Sequence, residues 1–164
     1  MRDNKGLWIT VGLVIFAAFF VLGWFGREVY RNVPPIPERV ATHSGEILLT
    51  REDILRGRQG WQSIGGHQVG SIWGHGAYQA PDWSADWLHR EATALREITN
   101  LELYGRSFGE LSAAGAAVGE QVKVALRTNT YDPSSGTLEA SRERARAMAE
   151  TAGHFRALFG GDRP

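Results

Sequence analysis

The chain has 164 residues and not one cysteine. That absence excludes disulfides, zinc–thiolate sites, iron–sulfur clusters and covalent attachment of a c-type haem. Net charge is missing as well, since 18 Lys and Arg balance 18 Asp and Glu. Without an excess of positive charge there is no electrostatic reason to expect nucleic acid as a partner. Locally the lack goes further. From Leu7 to Phe25 there is no Asp, Glu, Lys, Arg, His, Asn, Gln or Pro. Internal repeats and low-complexity tracts are also absent.

What the apolar run offers instead is a membrane span. At a rise of ~1.5 Å per residue, Leu7 to Phe25 covers about 28 Å as a helix, close to the hydrocarbon thickness of a bilayer. Trp8 and Trp24 stand near its ends, where amphipathic rings favour the headgroup region. A cleaved signal peptide needs small residues at the cut, whereas Gly23-Trp24-Phe25-Gly26 presents bulky aromatics. A soluble core helix of this length with no polar residue is unusual in so small a domain. An uncleaved helix is therefore expected. Arg2 and Lys5 precede it and Arg27 and Arg31 follow it, so the flanking charges do not orient it.

Beyond the helix, Pro34-Pro35-Ile36-Pro37 makes a stiff extended spacer. Val40 to Thr50 reads as a hairpin turning at His43-Ser44-Gly45. Thr50 then caps a helix with Glu52 and Asp53 in its first turn, running to about Ser63 before Gly65-Gly66 stops it. Gly70 to Asp82 shows neither helical nor strand periodicity. Ser84 is the expected cap of a long helix, Ala85 to about Tyr104, with Trp87, Leu88, Ala92, Leu95 and Ile98 on one apolar face. A weaker helix follows from about Glu110 to Leu126. A second hairpin turns at Asp132-Pro133-Ser134-Ser135-Gly136, and a last helix runs from the Ser141 cap to about Phe159. The expectation is a mainly α chain: one N-terminal transmembrane helix and a helical domain with two small hairpins.

Several chemistries compete over Gly57 to Arg90, where most of the six tryptophans fall. His75, Asp82, Asp86 and His89 have ligand side chains, and Asp86 and His89 share a helical face. Asp82 and Asp86 are equally explained as carboxylates at a helix start. Ser71, His75 and Asp82 lack the strained turn of a hydrolase nucleophile. Gly74-His75-Gly76 lacks the lysine, the glycine spacing and the preceding strand of a phosphate loop.

The stretch Gly70 to Asp82, which contains Trp73-Gly74-His75-Gly76-Ala77-Tyr78 and Ala80-Pro81-Asp82, resembles the haem-c subunit of cytochrome-c-dependent nitric oxide reductases. There C-x-x-C-H runs directly into T-I-L-G-x-G-A-Y-x-A-P-D. Counting back, the attachment positions hold Gly66, Val69 and Gly70, with His67 and Gln68 between. Both cysteines and the ligand histidine are gone. With Trp83-Ser84-Ala85-Asp86-Trp87-Leu88-His89-Arg90-Glu91, the chain resembles the N-terminal part of a quinol-dependent, single-chain nitric oxide reductase. Pro34 to Glu38, Arg127 to Pro133 and His154 to Gly160 add to the likeness.

That resemblance implies a haem-less cytochrome-c-like fold at residues 40–164, after a cytoplasmic tail (1–6), a transmembrane helix (7–26) and a Pro-rich spacer (27–39). It places the chain in a bacterial inner membrane with the domain on the periplasmic side. It further implies reduction of nitric oxide to nitrous oxide, a denitrification step, by helices expected beyond Pro164 that hold haem b and non-haem iron. The partners implied are the membrane and that catalytic part. This chain alone lacks those metal ligands and is not expected to reduce nitric oxide by itself. A calcium ion touching the Gly76 carbonyl and Tyr78 is implied as well, a hard cation suited to oxygen ligands; Tyr78 reads equally as a core aromatic, and His75 as a donor nearby or a surface histidine. Trp61, Ile64, Trp73, Trp83 and Trp87 are the candidates to fill the space a haem would leave. Gly12, Ala18 and Gly23 are expected to form a small-residue face for packing against neighbouring helices. The alternative to this reading is a stand-alone membrane-tethered binding or assembly domain without catalysis. An independent tethered enzyme would need an acid–base or metal site that the sequence does not offer.

Overall fold

The computed structural model describes residues 4–77, 79–107, 109 and 114–160. The chain divides into two units, Met1–Ile36 and Pro37–Pro164.

The first unit is one helix, α1 (Lys5–Arg31), whose most apolar window has a mean hydropathy of 2.3, so that it is long and apolar enough to cross a membrane. It outlasts the uncharged run by two residues at its start and six at its end. The Asn32 amide and side chain both donate to the Glu28 carbonyl, closing the last turn, and Pro34 and Pro35 follow. A β-carbon at Gly12 or Gly23 would meet nothing within this helix unit.

The second unit starts with two short strands, β1 (Arg39–Thr42) and β2 (Ile47–Thr50), paired antiparallel with a bulge between Val40 and Ala41. β2 runs straight into α2 (Arg51–Ser63). Thr50 Oγ1 accepts the Asp53 amide while the Asp53 carboxylate accepts the Thr50 amide, a reciprocal capping box. After a four-residue helical turn, α3 (Gly66–Val69), come β3 (Ser71–Ile72) and β4 (His75–Gly76). The long helices α4 (Trp83–Tyr104) and α5 (Ala114–Arg127) lead to β5 (Tyr131–Asp132), β6 (Thr137–Ala140) and α6 (Arg142–Phe159).

The two expected hairpins form, but they are not separate. β1 pairs in parallel with β6, from Arg39 opposite Thr137 to Thr42 opposite Ala140. One four-stranded sheet of order β2-β1-β6-β5 results. A third hairpin, β3–β4, lies where no periodicity was expected, because two-residue strands are too short to show any.

The core sits where α4 crosses α5 and α6. Leu95 and Ile98 of α4, Val118 and Val122 of α5, and Ala147 of α6 are all buried. On α4 the buried positions Glu91, Leu95 and Ile98 recur at the helical period. The facing stripe of α6 is built of small residues, Ala145, Ala147 and Thr151, which lets the two backbones approach. Of the apolar face anticipated on α4, Leu88 is exposed and Trp87 and Ala92 half-buried. The charged Glu91 takes the innermost place at that end.

Candidate functional site

The structure gathers one aromatic cluster from three elements. α2 supplies Trp61, α4 supplies Trp83 and Trp87, and α6 supplies Phe155 and Phe159. Trp61 meets Trp83 edge to face at 6.4 Å between centroids, and Trp83 meets Phe155 at 6.3 Å and Phe159 at 5.5 Å in the same manner. Trp87 stacks on Phe155 at 5.5 Å, and Phe155 on Phe159 at 6.3 Å. Edge-to-face and offset arrangements match positive ring edges to negative faces, adding to the burial of area.

Two glycines lie directly under these rings. A β-carbon at Gly66 would run into the indole of Trp61, and one at Gly70 into the nitrogen edge of Trp83. Gly65, at φ 68, turns the chain out of α2 so that Gly66 can pass beneath Trp61. Gly66 and Gly70 are positions that align with the first cysteine and the histidine of the haem-attachment motif. The third, Val69, is exposed. The space next to the backbone at 66 and 70 is thus already occupied by indole rings.

Asp82 organises the loop that follows. Its carboxylate accepts the Ser71 hydroxyl at 2.7 Å, the Gly74 amide at 2.7 Å and the Ala85 amide at 2.9 Å. The Ser71 hydrogen bond first, then the two amides, hold its pKa at about 2, below the ordinary 3.8. Asp82 is therefore the cap of α4, two residues ahead of Ser84, the cap expected from the sequence. Ser84 Oγ is used elsewhere, accepting the Trp73 amide at 2.9 Å.

A buried polar group joins α4 to α6. Glu91, with 3% of its side chain exposed, accepts the Arg144 Nε–H at 2.8 Å, and Arg144 itself is 20% exposed. The second carboxylate oxygen accepts the Trp87 indole N–H at 2.9 Å. Both oxygens are satisfied, which is the condition for burying a carboxylate without a large penalty.

Of the residues singled out in the sequence, Trp61, Trp83 and Trp87 come together half-buried. Trp73 and Ile64 do not join them; they stand 72% and 73% exposed, Trp73 on the β3–β4 turn and Ile64 past the end of α2. Phe155 and Phe159 are the members that went unnoticed. Their i,i+4 spacing in the last helix was the available signal. The four metal-ligand candidates disperse: Asp82 caps α4, Asp86 pairs with Arg90 at 2.9 Å, and His75 Nδ1 lies 2.9 Å from the Trp73 carbonyl. His89 lines a surface groove with His154. Among the described residues no three His, Asp or Glu side chains converge as metal ligands. Gly76 is exposed on β4, and Tyr78 lies outside the described residues. Calcium requires six to eight oxygens, so the one Gly76 carbonyl makes no site without ligands from elsewhere.

The fold and site together define a class: a small helical domain built on a cytochrome c plan that cannot attach the haem. The chain belongs to the NorB cytochrome c-like domain family of the nitric oxide reductases, whose model matches residues 37–164. No curated protein matches it in sequence.

Proposed function

We propose that this chain is the N-terminal portion of a quinol-dependent nitric oxide reductase, with α1 as membrane anchor and the domain as a haem-less cap over the catalytic part. Membership of the nitric oxide reductase family supplies the reaction class. The observation that carries the finer reading is the pair of indoles pressed onto Gly66 and Gly70. A domain with tryptophan in the haem space and no cysteine cannot relay electrons from a soluble cytochrome. The reductant then has to enter the catalytic part directly, and a membrane quinol is the donor that does so.

On this reading the cap's own residues do no redox chemistry. Trp61 and Trp83 fill the interior, Asp82 fixes the loop from Ser71 to Ser84, and Glu91 with Arg144 locks α4 to α6. Haem b and non-haem iron belong to helices that follow. The calcium expectation at Gly76 and Tyr78 also depends on those helices for most of its oxygens.

Reading the coding sequence past the Pro164 codon tests this organisation. Further apolar helices bearing histidines are expected. A stop codon there, with a stable 164-residue product in membranes, would favour the tethered binding or assembly domain instead.

A further inference from the structure

The Glu91–Arg144 pair leaves much of the arginine unused. Arg144 spends its Nε–H on Glu91 Oε1 at 2.8 Å, and among the described residues neither Nη group has a partner. Its side chain is nevertheless only 20% exposed. The remaining N–H donors form one edge of a planar fork that matches the paired oxygens of a carboxylate. Donors held in a half-dry setting without an acceptor are costly, which points to a guest.

The setting is aromatic. Arg144 and Glu91 line a groove of about 440 Å³ whose walls include Trp73, Trp83, Trp87 and Leu88, a size ordinary for small-molecule sites. The indoles are fixed in advance. Trp87 donates its N–H to Glu91 Oε2 at 2.9 Å and stacks on Phe155. Trp83 is wedged among Trp61, Phe155 and Phe159.

Trp73 is held at greater cost. It is the one described non-glycine residue with positive φ, at 53°, a region that bulky side chains adopt only when their surroundings enforce it. Here Ser84 Oγ accepts its amide and the Asp82 carboxylate accepts the Gly74 amide. Core packing does not explain the strain, since the ring is 72% exposed. It does make that ring a rigid wall of the groove.

We propose that this groove binds a small planar aromatic carboxylate, with its ring against the indoles and its oxygens on the Arg144 Nη groups. Glu91 keeps the guanidinium oriented and needs no donor from the guest, because both its oxygens are already satisfied. A cationic guest would suit the indole faces but would meet the guanidinium. The site consists of this chain's own side chains and stands apart from the choice of electron donor. With one charge of Arg144 offset by Glu91, affinity of about 1 mM is expected for a single-ring acid.

The test uses the whole chain in detergent, 4-fluorobenzoate as probe and fluorine NMR as readout, with protein-free micelles as the blank. Saturable broadening above the blank is expected. The uncharged 4-fluorobenzamide should bind about tenfold more weakly. Arg144→Lys leaves a cation opposite Glu91 but removes the fork, and should weaken 4-fluorobenzoate about tenfold. Trp73→Gly removes one wall, and glycine accepts the φ of 53°, so the thermal midpoint should hold while binding weakens by about the same factor. Absence of saturable broadening, or equal affinity for the amide, overturns the proposal. So does an affinity that either Arg144→Lys or Trp73→Gly leaves unchanged.

Discussion

Gly70→Ala is the substitution through which the haem-replacement account is most exposed. Gly70 has φ 175°, extended backbone that alanine adopts as readily as glycine. The added methyl therefore meets no conformational objection, and only its overlap with the Trp83 ring matters. That ring has little freedom to retreat, since Trp61, Phe155 and Phe159 all lie against it. Overpacking of this kind costs about 2–3 kcal/mol. In a Trp83→Leu background the obstructing edge is gone, and the same alanine should cost under about 1 kcal/mol, even though Trp83→Leu alone is destabilising by about 3 kcal/mol. The coupling of about 2 kcal/mol between sites 70 and 83 is the diagnostic quantity. Urea unfolding of the chain in detergent, followed by far-ultraviolet circular dichroism, measures all four corners of the cycle. Gly60→Ala serves as control: a β-carbon there meets open space in the last turn of α2, so stability should hold or rise by up to about 1 kcal/mol. A neutral Gly70→Ala, or an equal cost with and without the Trp83 ring, would refute the claim that the indole fills that space.

Asp82 makes a pH prediction. Its folded pKa of about 2 lies below the ordinary value, so its contribution is fully present above about pH 4 and is lost as pH falls toward 2. Asp82→Asn should flatten that part of the acid unfolding curve, whereas Asp132, held at about 2 by Ser135 and Ser134, should leave its own acid-sensitive component in place. Breaking the buried pair by Glu91→Gln or Arg144→Met should cost about 3 kcal/mol in urea unfolding, and replacing both by leucine should recover most of it. Thr50→Ala removes one half of the capping box and should cost about 1 kcal/mol.

Much of the fold was legible because its signals are local. The uncharged run of α1, Thr50 with Asp53 three residues on, and the Asp132-Pro133-Ser134-Ser135-Gly136 turn each specify their element without distant help. What escaped is non-local. The parallel pairing of β1 with β6, pinned by Arg39 Nε donating to Thr137 Oγ1 at 2.9 Å, joins two hairpins whose strands lie far apart in sequence. Glu91 and Arg144 likewise read as ordinary surface charges until α4 and α6 are brought together. Asp82 displaced Ser84 as the cap because the Ser84 hydroxyl is taken by the Trp73 amide, a bond that exists only once the β3–β4 turn has folded. Of the tryptophans proposed to occupy the haem space, the structure brings Trp61, Trp83 and Trp87 into one cluster and leaves Trp73 outside it. Side-chain identity alone did not distinguish them, because the distinction lies in the backbone of the turn.

The central claim is that electrons bypass this domain. Membranes carrying the full gene product, given nitric oxide and either a reduced quinol or a reduced soluble cytochrome c, test it directly. The account predicts steady consumption of nitric oxide with quinol and none above background with cytochrome c. Turnover sustained by cytochrome c, with quinol ineffective, would contradict it.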